Sequence, residues 1–275
     1  MLAGGRKPKL YRINEDFTCG LLIFFDENDF SCAVINMTGK VIERFTRKRN
    51  DEGYLATMRD IISEKLATYP RMTSVSIGVH GGVDDGKILY IDGYEELEGC
   101  DLKRIIQQEF GLDVAVENNM RAVVYGMALR CRLLCEETVV CFQIAKNGPG
   151  CGILVNGKPL SGFAGLVGEV GYLPASRKKN MQEIALSGFP DTDLEDYFAR
   201  LIVSACVYLN PRQIVLYENR YIQDAKRLEE KCKVYLPEKA VPEIILSPDY
   251  GDDFMEGLKR LSMNHFYPSY QIIQE

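Results

Sequence analysis

Three apolar runs lie close together near the start of the chain: "CGLLIFF" at 19–25, "SCAVINM" at 31–37 and "KVIERF" at 40–45. Short runs of this kind, bounded by turn residues such as "MTGK", predict strands. Over 51–68 the period changes. Leu55, Met58, Ile61, Ile62 and Leu66 recur three and four apart, which predicts an amphipathic helix. A strand at 74–79, a helix at 101–110, a strand at 113–117 and a helix at 119–134 complete this half. The second half repeats the order, with strands at 138–145, 151–156 and 167–173 and a helix over 192–209. A strand at 213–217, a helix at 221–232, a strand at 242–247 and a helix at 252–263 follow. Three strands and then alternating helix and strand therefore occur twice, without obvious identity between the halves. The pattern predicts two α/β lobes, residues 19–118 and 119–275, each with a mixed sheet and with a ligand cleft between them. Residues 1–18 are polar and basic and read as a linker or tail.

Composition narrows the picture only a little. The chain has 275 residues, ample for two cores, with 46% hydrophobic and 26% charged residues. No apolar run approaches the ~20 residues of a membrane span, so no membrane partner is expected. A formal charge of −6 argues against general nucleic-acid binding, despite basic clusters at 5–12 and 44–50. Most of the nine cysteines sit inside apolar runs and none forms a CxxC pair, so they read as small core residues of a reduced, cytoplasmic protein.

Several stretches carry candidate chemistry. "IGVHGGVDDGKI" (77–88) is a strand entering a glycine loop, where Gly81 and Gly82 suit a turn and His80 reads as packing or bonding locally. In "GLDVAVENNMRAVVYG" (111–126), Glu117 and Asn118 can cap the following helix, and that role is compatible with holding a ligand. Glu169 stands in a small, apolar stretch of "NGPGCGILVNGKPLSGFAGLVGEVGYLP" (147–174) and reads as a cleft residue. "EELEG" (95–99) reads as solvated surface or helix entry, and the aromatic run after 265 as packing or an interface edge.

With "LNPRQIVLY" (209–217), these segments, in this order, resemble the ROK family of repressors and sugar kinases. The resemblance implies a duplicated ribonuclease-H-like fold, the two-lobed α/β fold of actin and hexokinase. Active members phosphorylate a sugar hydroxyl with Mg-ATP, using the Asp of an Asn-Asp pair as general base. Here the pair is Asn118-Asn119, and an amide cannot take the proton. The family's Asp-x-Gly-Gly-Thr phosphate loop aligns with Phe24 at the Asp and Asp26-Glu27 at the glycines. Its Gly-Thr-Gly-x-Gly loop reads Lys146-Asn147-Gly148-Pro149-Gly150, and Tyr217-Glu218 replaces a glycine pair beside the adenosine. The ATP site and the catalytic base are therefore expected to be lost, which implies a pseudokinase rather than an enzyme.

On the sugar side the resemblance retains Asn118, Gly162, Gly165 and Glu169, where a carboxylate accepts from sugar hydroxyls. Tyr172 replaces a His used for zinc and sugar, and "ASRKKNMQEIALSGFP" (175–190) replaces the cysteine-rich zinc segment, so no metal is expected. The candidate ligand residues are Gly81, Gly82, Asn118, Asn119, Gly165, Glu169 and Tyr172. "GGRKPKLYRIN" (4–14) resembles the join that follows a winged helix-turn-helix in family repressors, and residues 1–18 are too few to hold that unit. The expectation is a sugar- or sugar-phosphate-sensing, homodimerising part of a regulator that reaches DNA only through an absent helix-turn-helix domain. A scaffold that no longer binds sugar, and a divergent kinase using Glu117, Asp84 or Asp85, are the alternatives.

Overall fold

The computed structural model describes residues 12–26, 28–91, 93–131, 138–145, 148–190 and 192–266. The basic join before residue 12, Glu27, Lys146, Asn147 and the aromatic run beyond Phe266 lie outside these residues, as does the side chain of Asp26.

The first half runs β1 (Cys19–Asp26), β2 (Asp29–Asn36), β3 (Val41–Lys48), α1 (Tyr54–Thr68), β4 (Met72–Val79), β5 (Gly82–Asp84), β6 (Lys87–Tyr90), α2 (Leu102–Phe110) and β7 (Asp113–Asn118). The second runs α3 (Asn119–Arg130), β8 (Val139–Ala145), β9 (Gly148–Val155), β10 (Lys158–Pro159), α4 (Met181–Leu186), α5 (Leu194–Leu209), β11 (Gln213–Tyr217), α6 (Ala225–Cys232), β12 (Glu243–Ser247) and α7 (Tyr250–Phe266). Two five-stranded sheets result, ordered β3-β2-β1-β4-β7 and β10-β9-β8-β11-β12. In each, an antiparallel hairpin joins parallel strands: β1 pairs antiparallel with β2 and parallel with β4, and β8 does the same with β9 and β11. The duplication expected from the apolar rhythm is thus present in the sheets.

Each sheet buries one face under its own helices. Ile23, Phe25, Ile77 and Val116 pack with Met58, Ile62 and Ile106 of α1 and α2, and Phe142 and Leu216 pack with Phe198, Ile202 and Leu228 of α5 and α6. A third core lies between the halves, where α3 and α7 cross against Leu22, Ala33 and Ile35 of the first sheet and Cys141 and Val215 of the second. The crossing is close because glycines face it. A Cβ on Gly126 would stand 1.8 Å from the Asp253 carbonyl oxygen, and one on Gly257 2.0 Å from that of Ala122. Burial also pushes the Cys32 thiol up to about 12, which leaves it an inert core residue.

Several expected elements differ. Residues 167–173 form no strand: a single 3₁₀ turn spans Val170–Tyr172, because Gly165 and Gly168 hold φ values of +64 and +92, outside the strand region. The helix expected over 221–232 begins at Ala225, since the Asn219 side chain accepts from the amides of Tyr221 and Ile222 in a turn and Asp224 caps the helix. The helix from 119 is described to Arg130, with 132–137 outside the description. Within "EELEG", Leu97 is buried and the Glu96 carboxylate accepts from the Tyr54 amide, satisfying the start of α1, where Gly53 offers no side chain. The β5–β6 hairpin and α4 were not expected. Among the described residues no helix is long and apolar enough to cross a membrane.

Candidate functional site

The cleft forms where β7 passes into α3. Asn118 ends the strand with extended backbone and caps the helix, its Oδ1 accepting from the Arg121 amide at 3.1 Å. Its Nδ2 donates to the Gly81 carbonyl at 2.8 Å and reaches Glu169 Oε1 at 3.4 Å. One side chain thereby connects the helix start, the glycine loop after β4 and the loop after β10. The cap expected for Asn118 is present, and the same residue touches the candidate carboxylate.

Asn119 is the next residue, 8% exposed. Its Nδ2 lies 3.1 Å from His80 Nδ1 and donates to Tyr250 Oη, also at 3.1 Å. His80 Nε2 lies 3.1 Å from the Phe25 carbonyl oxygen, which can only accept. In the neutral ring Nε2 therefore carries the hydrogen and Nδ1 accepts from Asn119. A carboxylate at 119 would have no hydrogen to offer either partner. The ring of His80 also stacks on Tyr94 with centroids 5.8 Å apart.

The structure brings together some of the sequence candidates. Gly81, Asn119 and Glu169 line a cleft of about 70 Å³ together with His80, Tyr90, Gln143 and Gln182. Asn118 stands directly behind it through its contact with Glu169. Gly82, Gly165 and Tyr172 are not among the lining residues. Gly82 leaves room for the Tyr90 ring, which would lie 2.3 Å from a Cβ. The Gly165 carbonyl accepts from Tyr90 Oη at 2.9 Å, so this glycine bridges the halves. Tyr172 is half-exposed, edge-on to Tyr90 at 6.4 Å. Sequence reasoning did not single out Tyr90, Gln143 or Gln182. Gln182 follows Asn180, whose capping box with Glu183 is a readable helix start within the segment that replaces the zinc motif.

Beyond Asn119 the interior between the sheets is aromatic. Tyr217 packs edge-on to Tyr250 at 5.3 Å, Tyr250 meets Phe254 at 6.0 Å, and Phe254 meets Phe24 at 4.9 Å. Gly78 of β4 makes this seat possible, since a Cβ there would lie 2.3 Å from the Phe254 ring. Tyr217 is 1% exposed and donates to Asp253 Oδ2 at 2.7 Å. Burial, reinforced by the neighbouring carboxylate, pushes its hydroxyl far above the usual phenol range. Asp253 is fully buried and takes both Nε and Nη2 of Arg130, at 2.7 and 3.1 Å. Phe24 and Tyr217, two of the residues read from sequence as departures from the kinase motifs, are thus parts of one packed column. Among the described residues, no group of three or more His, Cys, Asp or Glu side chains could hold a metal ion.

Comparison with known proteins agrees with this architecture. The chain is 26% identical over 179 residues to the xylose repressor of Caldicellulosiruptor bescii, which covers 62% of this chain and 44% of the repressor. It is 30% identical over 129 residues to the N-acetyl-D-glucosamine kinase of Pectobacterium atrosepticum, 46% of this chain and 42% of the kinase. The chain spans about half the length of the curated relatives it matches. Among solved structures, a ROK family transcriptional regulator homologous to the Escherichia coli MLC protein superposes with a TM-score of 0.72 at 18% identity, over 91% of this chain and 80% of that one. The fold is that of the ROK and hexokinase-type sugar kinases, the actin-like two-sheet fold. The ROK family model matches residues 27–188, more than half of the chain, and runs through β7, the Asn118-Asn119 junction and the Glu169 loop. The chain belongs to the ROK family.

Proposed function

We propose that this chain is the sugar-sensing part of a ROK-type regulator and transfers no phosphoryl group. The observation that carries the reading is the commitment of Asn119: at the position of the kinase base stands an amide that donates toward His80 and to Tyr250. A general base must accept a proton from the attacking hydroxyl, and this side chain has none of that capacity. The aromatic column of Phe24, Phe254, Tyr250 and Tyr217 adds support, because it occupies the interior next to the residues that replace the nucleotide motifs. We further propose that neither ATP nor zinc is a cofactor.

The cleft residues favour an unphosphorylated sugar. Glu169 accepts hydroxyl protons, Gln143 and Gln182 carry both donor and acceptor groups, and Asn119 keeps its Oδ1 as an acceptor while its Nδ2 hydrogens are engaged. Among the described residues no lysine or arginine lines the cleft to neutralise a phosphate. At about 70 Å³ the cleft is below the roughly 300 Å³ where ligand pockets begin, so a sugar enters only when the halves separate. The Tyr90–Gly165 contact is the bridge that must then yield. Sugar binding would favour one arrangement of the halves, and in a homodimer that preference would reach a separate DNA-binding unit.

The small cleft also favours a second reading, a scaffold that has lost its ligand. A thermal-shift screen against unphosphorylated pentoses, hexoses and amino sugars, with Mg-ATP alongside, separates the readings. A ligand at a hundred times its Kd adds about 2.7 kcal/mol, readily seen as a raised Tm. A shift with one sugar and none with Mg-ATP supports the sensor, silence across the panel supports the scaffold, and a Mg-ATP shift with turnover establishes a divergent kinase.

A further inference from the structure

Arg121 is 4% exposed, yet it is only partly satisfied. Its Nε donates to Glu117 Oε1 at 2.6 Å and its Nη2 to the Val83 carbonyl at 2.9 Å. Its Nη1 is buried without a hydrogen-bond partner. A buried guanidinium nitrogen left unpaired is costly, and in native proteins such a group marks a place where a water or ion belongs.

Arg121 lines a second cavity, of about 280 Å³, on the side of α3 away from the candidate sugar cleft. Lys158, Ser161 and Asn264 line it as well, and among the described residues their side chains have no ion-pair or hydrogen-bond partner. Ala122 and Leu261 supply apolar wall. The Glu117 carboxylate also faces the cavity, but its Oε1 already accepts from Arg121 Nε and from the Asn118 amide. Two cations therefore stand against one engaged carboxylate. Unused donors come from a lysine, a hydroxyl and an amide on two segments, with the Arg121 guanidinium on a third, its unpartnered Nη1 shut from solvent in this arrangement. Convergence of charged and neutral donors on a concave, partly apolar site is the chemistry of oxyanion recognition, and the planar guanidinium suits a phosphoryl group in particular.

We propose that this cavity binds a phosphoryl group, held by Arg121 and Lys158 with Ser161 and Asn264 at its rim. The inference does not depend on what the sugar cleft holds. The group is carried either by inorganic phosphate or by a small phosphate monoester, and the volume accommodates both.

Calorimetric titration of the whole chain tests the proposal, with inorganic phosphate in one arm and ribose 5-phosphate in the other, sodium chloride holding ionic strength constant. Saturable binding in either arm is expected. Tighter binding of the monoester identifies a metabolite as the occupant, and tighter binding of the free ion identifies phosphate itself. Lys158→Ala and Asn264→Asp change exposed side chains with no hydrogen-bond or ion-pair partner among the described residues, so both variants should fold with unaltered Tm. Each is expected to weaken binding about tenfold, the loss of one charge-assisted contact or the gain of one repulsive charge. No saturable binding in either arm, or binding untouched by both variants, would overturn the assignment.

Discussion

Asn119 Nδ2 stands 3.1 Å from His80 Nδ1, and the Phe25 carbonyl on the other side of the imidazole sets which partner donates. This small network gives the Asn119 amide a role that a carboxylate could not fill. Asn119→Asp is expected to yield no phosphoryl transfer, because the new carboxylate faces the imidazole lone pair and the aromatic column is unchanged. It should cost roughly 1–3 kcal/mol at neutral pH, the effect of leaving a buried acceptor without its donor. Urea melts at pH 7 check the stability, and a coupled phosphoryl-transfer assay checks the activity.

The Asp253 carboxylate is fully buried and held by Arg130 and Tyr217. Arg130→Met removes the countercharge and should destabilise by about 3–5 kcal/mol, the usual result of stranding a buried charge. Adding Asp253→Asn removes the stranded charge, so the double variant should recover more than half of that loss. A double-mutant cycle by denaturant unfolding measures the coupling directly.

Gly126→Ala tests the crossing of α3 and α7. The added methyl would meet backbone at 1.8 Å, which no side-chain rotation relieves. We expect a loss of at least roughly 1–3 kcal/mol, as for other overpacked interiors, with a matching fall in Tm. Gly251→Ala, in the first turn of α7 with open space around it, should be neutral or slightly stabilising.

The apolar rhythm located almost every long strand and helix, because burial on one or two faces is what imposes the rhythm. It failed where backbone geometry overrides side-chain pattern. Residues 167–173 look like a strand by composition, but the left-handed glycines at 165 and 168 turn the chain repeatedly. The β5–β6 hairpin was missed because strands of three and four residues carry too little period. For the site, Asn118, Asn119 and Glu169 were legible from motif, since one local junction or loop holds each. Tyr90, Gln143 and Gln182 come from three distant segments and meet only in the folded chain. Gly165 was read as a ligand residue from its motif, yet its carbonyl serves the Tyr90 bridge.

A pH dependence follows from Glu43. Its carboxylate bonds Lys65 Nζ at 2.6 Å and Tyr69 Oη at 2.9 Å, and the lysine contact above all holds its pKa below the ordinary 4.5 of a glutamate. A lowered folded-state pKa contributes stability that is present above 4.5 and lost as pH falls through the folded value. Glu43→Gln should therefore remove roughly 0.5–1 kcal/mol at pH 7, where Lys65 keeps only its longer contact to Glu64 Oε1 at 3.6 Å. Variant and parent should converge in stability in acid, and melts from pH 7 to 3 would show it.

On the proposed function, the cleft holds a sugar without reacting it. The most direct measurement is calorimetric titration of the chain with the best sugar from the thermal screen, repeated with Mg-ATP present and followed by mass spectrometry of the sugar. Saturable sugar binding is expected, weakened about ten- to a hundredfold by Glu169→Ala through the loss of charge-assisted hydrogen bonds. No heat from Mg-ATP and no phosphorylated product are expected. Formation of a sugar phosphate, or sugar binding indifferent to Glu169, would contradict it.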